Sequence, residues 1–319
     1  MRIDLQQAAQ ALREANDILV LSHKAPDGDT LGSAAALCTA LQRMEKQVCF
    51  ACSDPIPPKY ESLFAQFKPQ QFEPKFIAAV DIADTCLLGK ATEQFGGKID
   101  LAVDHHVSHK DYARQTYLDS TAASTTQIIY ALFCHMGIPI DKQLADCLYT
   151  GLCTDTGCFR YPNTTADAFE TAAQLARAGA EVAQINRVLF DTKSRARLTV
   201  EHLAMESISF YESDRFAMME ITEEMMKTAG AAESDVEGLA ALPRQIEGVL
   251  LAATLREKQD GGYKISMRAT PPYDAGAVCA QFGGGGHKGA AGCIIDGDKE
   301  TAKKQLIQAV SAYFRAQGI

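Results

Sequence analysis

The chain is 319 residues long, 47% hydrophobic and 22% charged, a balance that supports a sizeable core and, at this length, two domains. Forty acidic against 31 basic residues leave a net charge of −9, which excludes a surface built for long nucleic-acid duplexes, because such binding neutralises many phosphates at once. No run approaches the roughly 18 apolar residues of a membrane span, and the N-terminus MRIDLQQAAQ lacks a basic stretch followed by an apolar one, so a cytoplasmic protein without a membrane partner is expected.

Apolar residues recurring every three to four positions from 5 to 16 predict a helix, and DILVLS after it a strand. The alternation continues with a helix from Leu31 to Met44, strand QVCFAC, a helix around Lys59 to Phe67, then strands FIAAVD and IDLAVD. Short apolar strands separated by helical stretches predict an α/β class with a mostly parallel sheet covered on both faces. From about Ala122 to Phe190 the pattern is helical, in three segments punctuated by Gly or Pro. SRARLTVEHLAMESISFY reads as a helical connector. Beyond Arg215 come strands FAMMEI, GVLLAATLRE and YKISMRAT, a turn at Gly283 to Gly286, strand AAGCII and a helix from Asp298. The expected organisation is a parallel-sheet α/β domain over 1–190, a helical linker over 191–212 and a smaller mixed α/β domain over 213–319. Cysteines in apolar runs, such as Cys38, Cys134 and Cys147, read as reduced core thiols. Cys49 and Cys52 form a C-x-x-C without a second pair at zinc spacing, inside QVCFACS, and read as a buried strand.

Ligands in open α/β sheets bind beyond the carboxyl ends of the strands, and here those ends are acidic. LSHKAPDGDTLGS puts His23, Asp27 and Asp29 on one loop; FIAAVD ends in Asp81; IDLAVDHH ends in Asp104, His105 and His106; Asp155 follows the helix DCLYTGLC. Each alone reads as a turn, a helix cap or a structural histidine. Together, that many carboxylates at one sheet edge repel one another unless cations neutralise them. Mixed Asp and His ligands suit borderline-to-hard divalent ions such as Mn²⁺, and a shared carboxylate would hold two of them about 3.5–4 Å apart. In the second half, the run Gly283 to Gly286 reads as a nest of backbone N–H groups for an anion, with His287 and Arg268 adding donors and charge.

LSHKAPDGDTLGS, AAVD, AVDHHVSH and GLCTDTG resemble the four successive motifs of the DHH phosphoesterase superfamily, and FGGGGHKGAAG resembles the glycine-rich signature of its DHH-associated C-terminal domain, type one. All five occur in order over nearly the whole chain, and the length is similar to the branch of bifunctional oligoribonucleases and phosphoadenosine phosphate phosphatases. The resemblance implies two divalent cations: His23 and Asp27 on one, Asp29, His105 and Asp155 on the other, and Asp81 bridging them. It places Asp104 and His106 behind the ions, orienting His105 and meeting the scissile phosphate, and gives Arg268, Gly284, Gly285, Gly286 and His287 to the nucleotide. Two positions depart from the branch: His109 stands where Asn is usual, and SMRAT replaces a strand that more often has an Arg-Ser pair.

The implied function is a Mn²⁺-dependent phosphoesterase that hydrolyses short oligoribonucleotides to mononucleotides and 3′-phosphoadenosine 5′-phosphate to AMP. The alternatives are a cyclic or linear di-nucleotide phosphodiesterase acting on a second messenger and, in another class, a nucleotide-binding sensor without catalysis, which would show a lost ligand where every ligand position here is filled. Expected partners are short RNA or small nucleotides, with a homodimer left open.

Overall fold

Apolar runs with little polar alternation fold as strands buried on both faces. In this computed structural model, which describes residues 1–258 and 261–319, the apolar runs ILVL, VCFA, FIAAV and LAVD are β1 (Ile18–Leu21), β2 (Val48–Ala51), β3 (Phe76–Val80) and β4 (Leu101–Asp104), and the half-polar QTYL is β5 (Gln115–Leu118). They pair in parallel in the order β2-β1-β3-β4-β5. The chain leaves β1 for β2 on one side and returns to place β3 on the other, so the sheet has its topological switch between β1 and β3, where a crevice opens at the carboxyl ends. His23 follows β1 and Asp81 follows β3 at that switch.

This sheet belongs to the first of two compact units, Met1–Thr192; the second is Lys193–Ile319. In the first unit, the helix Gly28–Arg43 begins beyond β1 with Asp27 as N-cap, accepting the amides of Asp29 and Thr30. Glycine lets it lie close against the helix Lys142–Asp155: a Cβ on Gly32 would sit 2.5 Å from the Cys147 carbonyl oxygen, and one on Gly151 would sit 2.7 Å from Asp29 Oδ1. That close approach delivers Asp155, the last residue of its helix, to the site.

The second unit is a six-stranded sheet, β10-β11-β9-β8-β7-β6, built from β6 (Ser209–Tyr211), β7 (Phe216–Ile221), β8 (Leu251–Glu257), β9 (Tyr263–Ala269), β10 (Gly285–His287) and β11 (Ala290–Ile295). Only β7 and β8 run parallel. β11 alternates buried and exposed positions, and the helix Lys299–Ala316 packs its Ala302, Leu306, Val310 and Phe314 into the same core.

Several expectations are corrected. The helix expected around Lys59 to Phe67 is a 3₁₀ helix over Pro58–Phe64, with Pro57 before it. QTYL forms a fifth strand that lacks an apolar run, since it closes the sheet edge with a half-polar face. The connector helix stops at Glu206, and SFY pairs with β7 as an edge strand. Gly285 and Gly286 belong to a strand rather than a turn. All ten cysteines are free thiols, but Cys134 is exposed on its helix, and Cys49 and Cys52 are half-buried at the β2 edge instead of buried in a core. No helix among the described residues is long and apolar enough to cross a membrane.

Candidate metal centre

The site is assembled from strand ends and helix starts. His23 Nδ1 donates to the carbonyl oxygen of Lys24 at 2.7 Å, which turns Nε2 toward Asp27 Oδ1 (3.7 Å) and Asp81 Oδ2 (3.6 Å). His105 is held the same way, Nδ1 toward the Ala122 carbonyl at 3.3 Å, with Nε2 facing Asp155 (3.5 Å), Asp81 Oδ1 (3.7 Å) and Asp29 (3.9 Å). Fixing one ring nitrogen on a carbonyl and presenting the other is how a metal-binding histidine is oriented. His105 Nε2 is buried with no hydrogen-bond partner among the described residues, so the pocket contains a lone-pair donor that they leave unsatisfied.

Asp81 holds a left-handed φ of 61°, unusual for a side-chain-bearing residue and a form of strain that recurs at functional sites. Its buried carboxylate faces two ways, Oδ2 toward His23 and Oδ1 toward His105 and His106, the latter at 3.6 Å. Thr125 Oγ1 donates to Oδ1 at 2.9 Å. Asp29, 1% exposed, accepts the amides of Thr125 (2.7 Å) and Thr126 (2.9 Å), the first two of the helix Thr125–Met136. A helix N-terminus is a favourable seat for a buried anion. Neither threonine is visible as a site residue from the sequence; Ser124 signals a helix cap, but not that the next two amides would point at a distant loop.

His23, Asp27 and Asp81 each bring a ligand atom to within 4.8 Å of the others; so do Asp29, His105 and Asp155, and so do Asp81, His105 and His106. These groups are able to bind metal ions. Without a cation the charges are relieved by protons. Burial, then the charges of Asp81, Asp155 and Asp27, push Asp29 well above the usual carboxylate range. Burial raises Asp155 to about 6, with the neighbouring His105 opposing and Asp81 and Asp27 adding to it. For His23, burial works downward but is outweighed by hydrogen bonds and charge from Asp27 and Asp81, holding the imidazole at about 11. Asp104 lies behind, fully buried, and its Oδ1 takes the amides of His105 (2.8 Å) and His106 (3.2 Å) and the His106 ring at 2.7 Å. That last bond is the main reason His106 is raised to about 9 against the effect of burial.

In the second unit, the register sets His287 opposite Ala290 and Ala290 opposite Arg268, so Arg268 and His287 project from one face of the sheet two strands apart, about 10 Å. Ala290 between them is exposed and carries only a methyl group. Exposed Arg244, which the sequence did not single out, lies near enough to add its charge to burial in lowering the Arg268 pKa. The glycines do something other than form an open nest. Gly283 and Gly284 donate their N–H groups to the carbonyls of Ala280 (3.1 Å) and Cys279 (3.0 Å). A Cβ on Gly284 would lie 2.3 Å from the Gly292 carbonyl oxygen, whereas one on Gly285 would meet nothing within 4 Å. Gly284 is thus required by packing against β11, and Gly285 leaves a bare, exposed stretch of backbone.

Residues 17–152 match the DHH family, N-terminal domain, and residues 217–316 match the DHHA1 domain. The chain is 29% identical over 306 residues to the bifunctional oligoribonuclease and PAP phosphatase NrnA of Thermus thermophilus, covering 92% of this chain and 89% of that one. Its structure is similar to that of an exopolyphosphatase-related protein from Bacteroides fragilis, with a TM-score of 0.87, 25% identity and coverage of 97% and 96%. A likeness of fold extends to RecJ in complex with Mn²⁺ from Thermus thermophilus, with a TM-score of 0.56 and 16% identity over 97% of this chain and 55% of that one. With its first unit matching the one domain and its second the other, the chain belongs to the DHH superfamily of phosphoesterases.

Proposed function

We propose that the protein hydrolyses short oligoribonucleotides to mononucleotides and 3′-phosphoadenosine 5′-phosphate to AMP, using two divalent cations, Mn²⁺ foremost. The observation that carries the reading is Asp81, whose two oxygens face separate ligand groups, as a carboxylate shared between two ions must. In this reading His23 and Asp27 hold one ion, Asp29, His105 and Asp155 hold the other, and Asp81 bridges. When bound, such a pair supplies Lewis-acid polarisation of the phosphate and a water of lowered pKa. The residues around it supply orientation. Asp104 fixes the His106 ring through Nδ1, leaving Nε2 to meet a phosphate or leaving-group oxygen and to hold a proton there. Arg268, Gly284 to Gly286 and His287 take the nucleotide, Arg268 and His287 by charge and hydrogen bonding, the bare backbone at Gly285 by close approach.

Substrate length follows from the charge distribution. A nuclease that tracks along a strand needs a continuous basic groove, whereas this chain has a net charge of −9, and Arg268 and His287 share one face of the second sheet. The name of the Thermus thermophilus relative supports the same substrate class. Turnover of phosphoadenosine phosphate and of 2-mer, 5-mer and 24-mer RNA, side by side with Mn²⁺, tests the reading. The expected result is a kcat/KM that falls as RNA lengthens beyond about five nucleotides, since a pocket that grips one or two nucleotides gains nothing from a longer chain. A preference for the 24-mer, or for a cyclic di-nucleotide added as a further arm, would overturn it.

A further inference from the structure

His109 presents an anomaly that the proposed roles leave unused. Its ring is completely buried, stacked on Tyr112 at 4.9 Å between centroids and 28° between planes, and Tyr112 is itself anchored by donating its hydroxyl to the Ile82 carbonyl at 2.7 Å. His109 Nδ1 accepts the amide of Asp111 at 2.9 Å, so the proton of the neutral ring resides on Nε2. Nε2 stands 3.9 Å from Asp104 Oδ2. Among the described residues neither atom has any other partner, and both are buried. A buried donor and a buried acceptor facing one another without other partners is costly unless they meet. A water cannot join them, since two ordinary hydrogen bonds through one oxygen need about 4.5 Å or more.

We infer that His109 is a positioning residue for His106: its Nε2–H secures the rear oxygen of Asp104, while the front oxygen of the same carboxylate holds the His106 ring. All three donors to Asp104 lie on Oδ1, from His105, His106 and the His106 ring. With Oδ2 unsecured, the carboxylate can swing and carry the His106 imidazole with it. Hydrogen bonds of this kind are often long in a protein without substrate and close in the reacting complex, and the clamped ring of His109 has only to close the gap along one line. Burial lowers the His109 pKa, which keeps the ring in the neutral form that this arrangement needs. The role also accounts for histidine at this position, because an asparagine amide is too short to place a donor where Nε2 lies.

The test compares His109→Gln, whose amide nitrogen occupies the place of Nε2, with His109→Phe, which keeps the aromatic stack and loses the donor. In the metal-free protein, the Nδ1–H proton of His106 is read by NMR. It is expected to remain downfield and sharp in the wild type and the Gln variant, and to move upfield or broaden in Phe. This readout does not depend on the substrate proposed above. The kinetic arm does rest on that reading: Phe is expected to lower kcat about 10–100-fold, as loss of an orienting partner does, with KM and Mn²⁺ affinity within about twofold and Gln restoring most of the rate. If no nucleotide is turned over, the substrate reading fails and the NMR arm alone decides the inference. Equal behaviour of Phe and the wild type, or equal impairment of Phe and Gln, overturns it. Should Phe not fold, His109→Leu serves as the apolar replacement with the same expected outcomes.

Discussion

The site acids of the first unit and the buried Glu220 of the second are neutralised by opposite means. In the second, Glu220, 8% exposed, is paired with Lys299 at 3.2 Å and with Lys303. In the first, Asp29, Asp81 and Asp104 are at most 2% exposed, and among the described residues every ion-pair partner of these and of Asp27 and Asp155 is a histidine. Glu220 has its counter-charge built in and serves to tie a helix to the sheet. The aspartates lack one, and their mutual repulsion is tolerated because something from outside the chain, a proton or a cation, is required to complete them. The difference separates an acid that stabilises the fold from acids that cost the fold stability and serve the site.

The comparison breaks most sharply at Asp81. Asp81→Asn is expected to lower kcat by about 10³-fold or more, since metal-centred catalysis is worth several kcal/mol. The same change should stabilise the metal-free protein, because it removes one of the crowded charges and because asparagine tolerates the left-handed φ of 61°. The Tm in the presence of chelator should rise by about 2–4 °C for each kcal/mol relieved. A lower Tm would show that the charges of the site are balanced without a cation.

A pH series with and without Mn²⁺ follows from the same cause. Asp29 and Asp155 are raised, the latter to about 6, and His106 and His23 are raised to about 9 and 11. All four therefore bind protons more tightly folded than unfolded, so their contribution is complete below the unfolded values and is lost as pH rises through the folded ones. The metal-free first unit should become less stable from pH 5 to pH 8. Added Mn²⁺ should reverse that slope, because the ions replace the protons. Thermal unfolding in chelator and in Mn²⁺ at each pH checks both signs.

Much of this site was legible because its residues are punctuated by strands: His23, Asp81 and Asp104 to His106 each follow an apolar run, and the strand-end rule collects them at one edge. What could not be read is whatever depends on a partner distant in sequence. Thr125 and Thr126 sit on a helix start whose amides reach Asp29 96 and 97 residues away. Arg244 becomes part of the basic face only because the loop before β8 folds back toward Arg268. The glycine run shows the converse error. Composition suggested free amides, but hydrogen bonds to Ala280 and Cys279 and pairing with β11 commit them.

On the second unit, Arg268→Ala should reduce kcat/KM about 10–100-fold, mostly through KM, as expected for losing one charge-assisted contact to phosphate. The glycines divide. Gly284→Ala places a methyl group 2.3 Å from a backbone oxygen and should disrupt the β10–β11 pairing, with a lowered Tm. Gly285→Ala has open space and should leave Tm unchanged, so any loss of kcat/KM reports substrate approaching the backbone there. Wild-type kinetics in Arg268→Ala would remove this face from the binding site.

The smallest expected effect restates the contrast between the units as a pair of opposite slopes. Burial alone would raise the Glu220 pKa, but hydrogen bonds and charge from Lys303 and Lys299 hold it below the usual glutamate value. A depressed carboxyl contributes stability above its unfolded pKa, about 4.3, and loses it as pH falls through the folded value. Glu220→Gln should therefore destabilise β7 and the helix Lys299–Ala316 by about 1 kcal/mol near pH 7, and by progressively less as pH falls through the folded value and the native carboxyl takes up a proton. Because the two units need not unfold together, hydrogen exchange of those two segments is the measurement, with the chain intact. The wild-type segments should lose protection as pH falls while the metal-free first unit gains stability, and a shared direction in both units would show that Glu220 is held no differently from the aspartates.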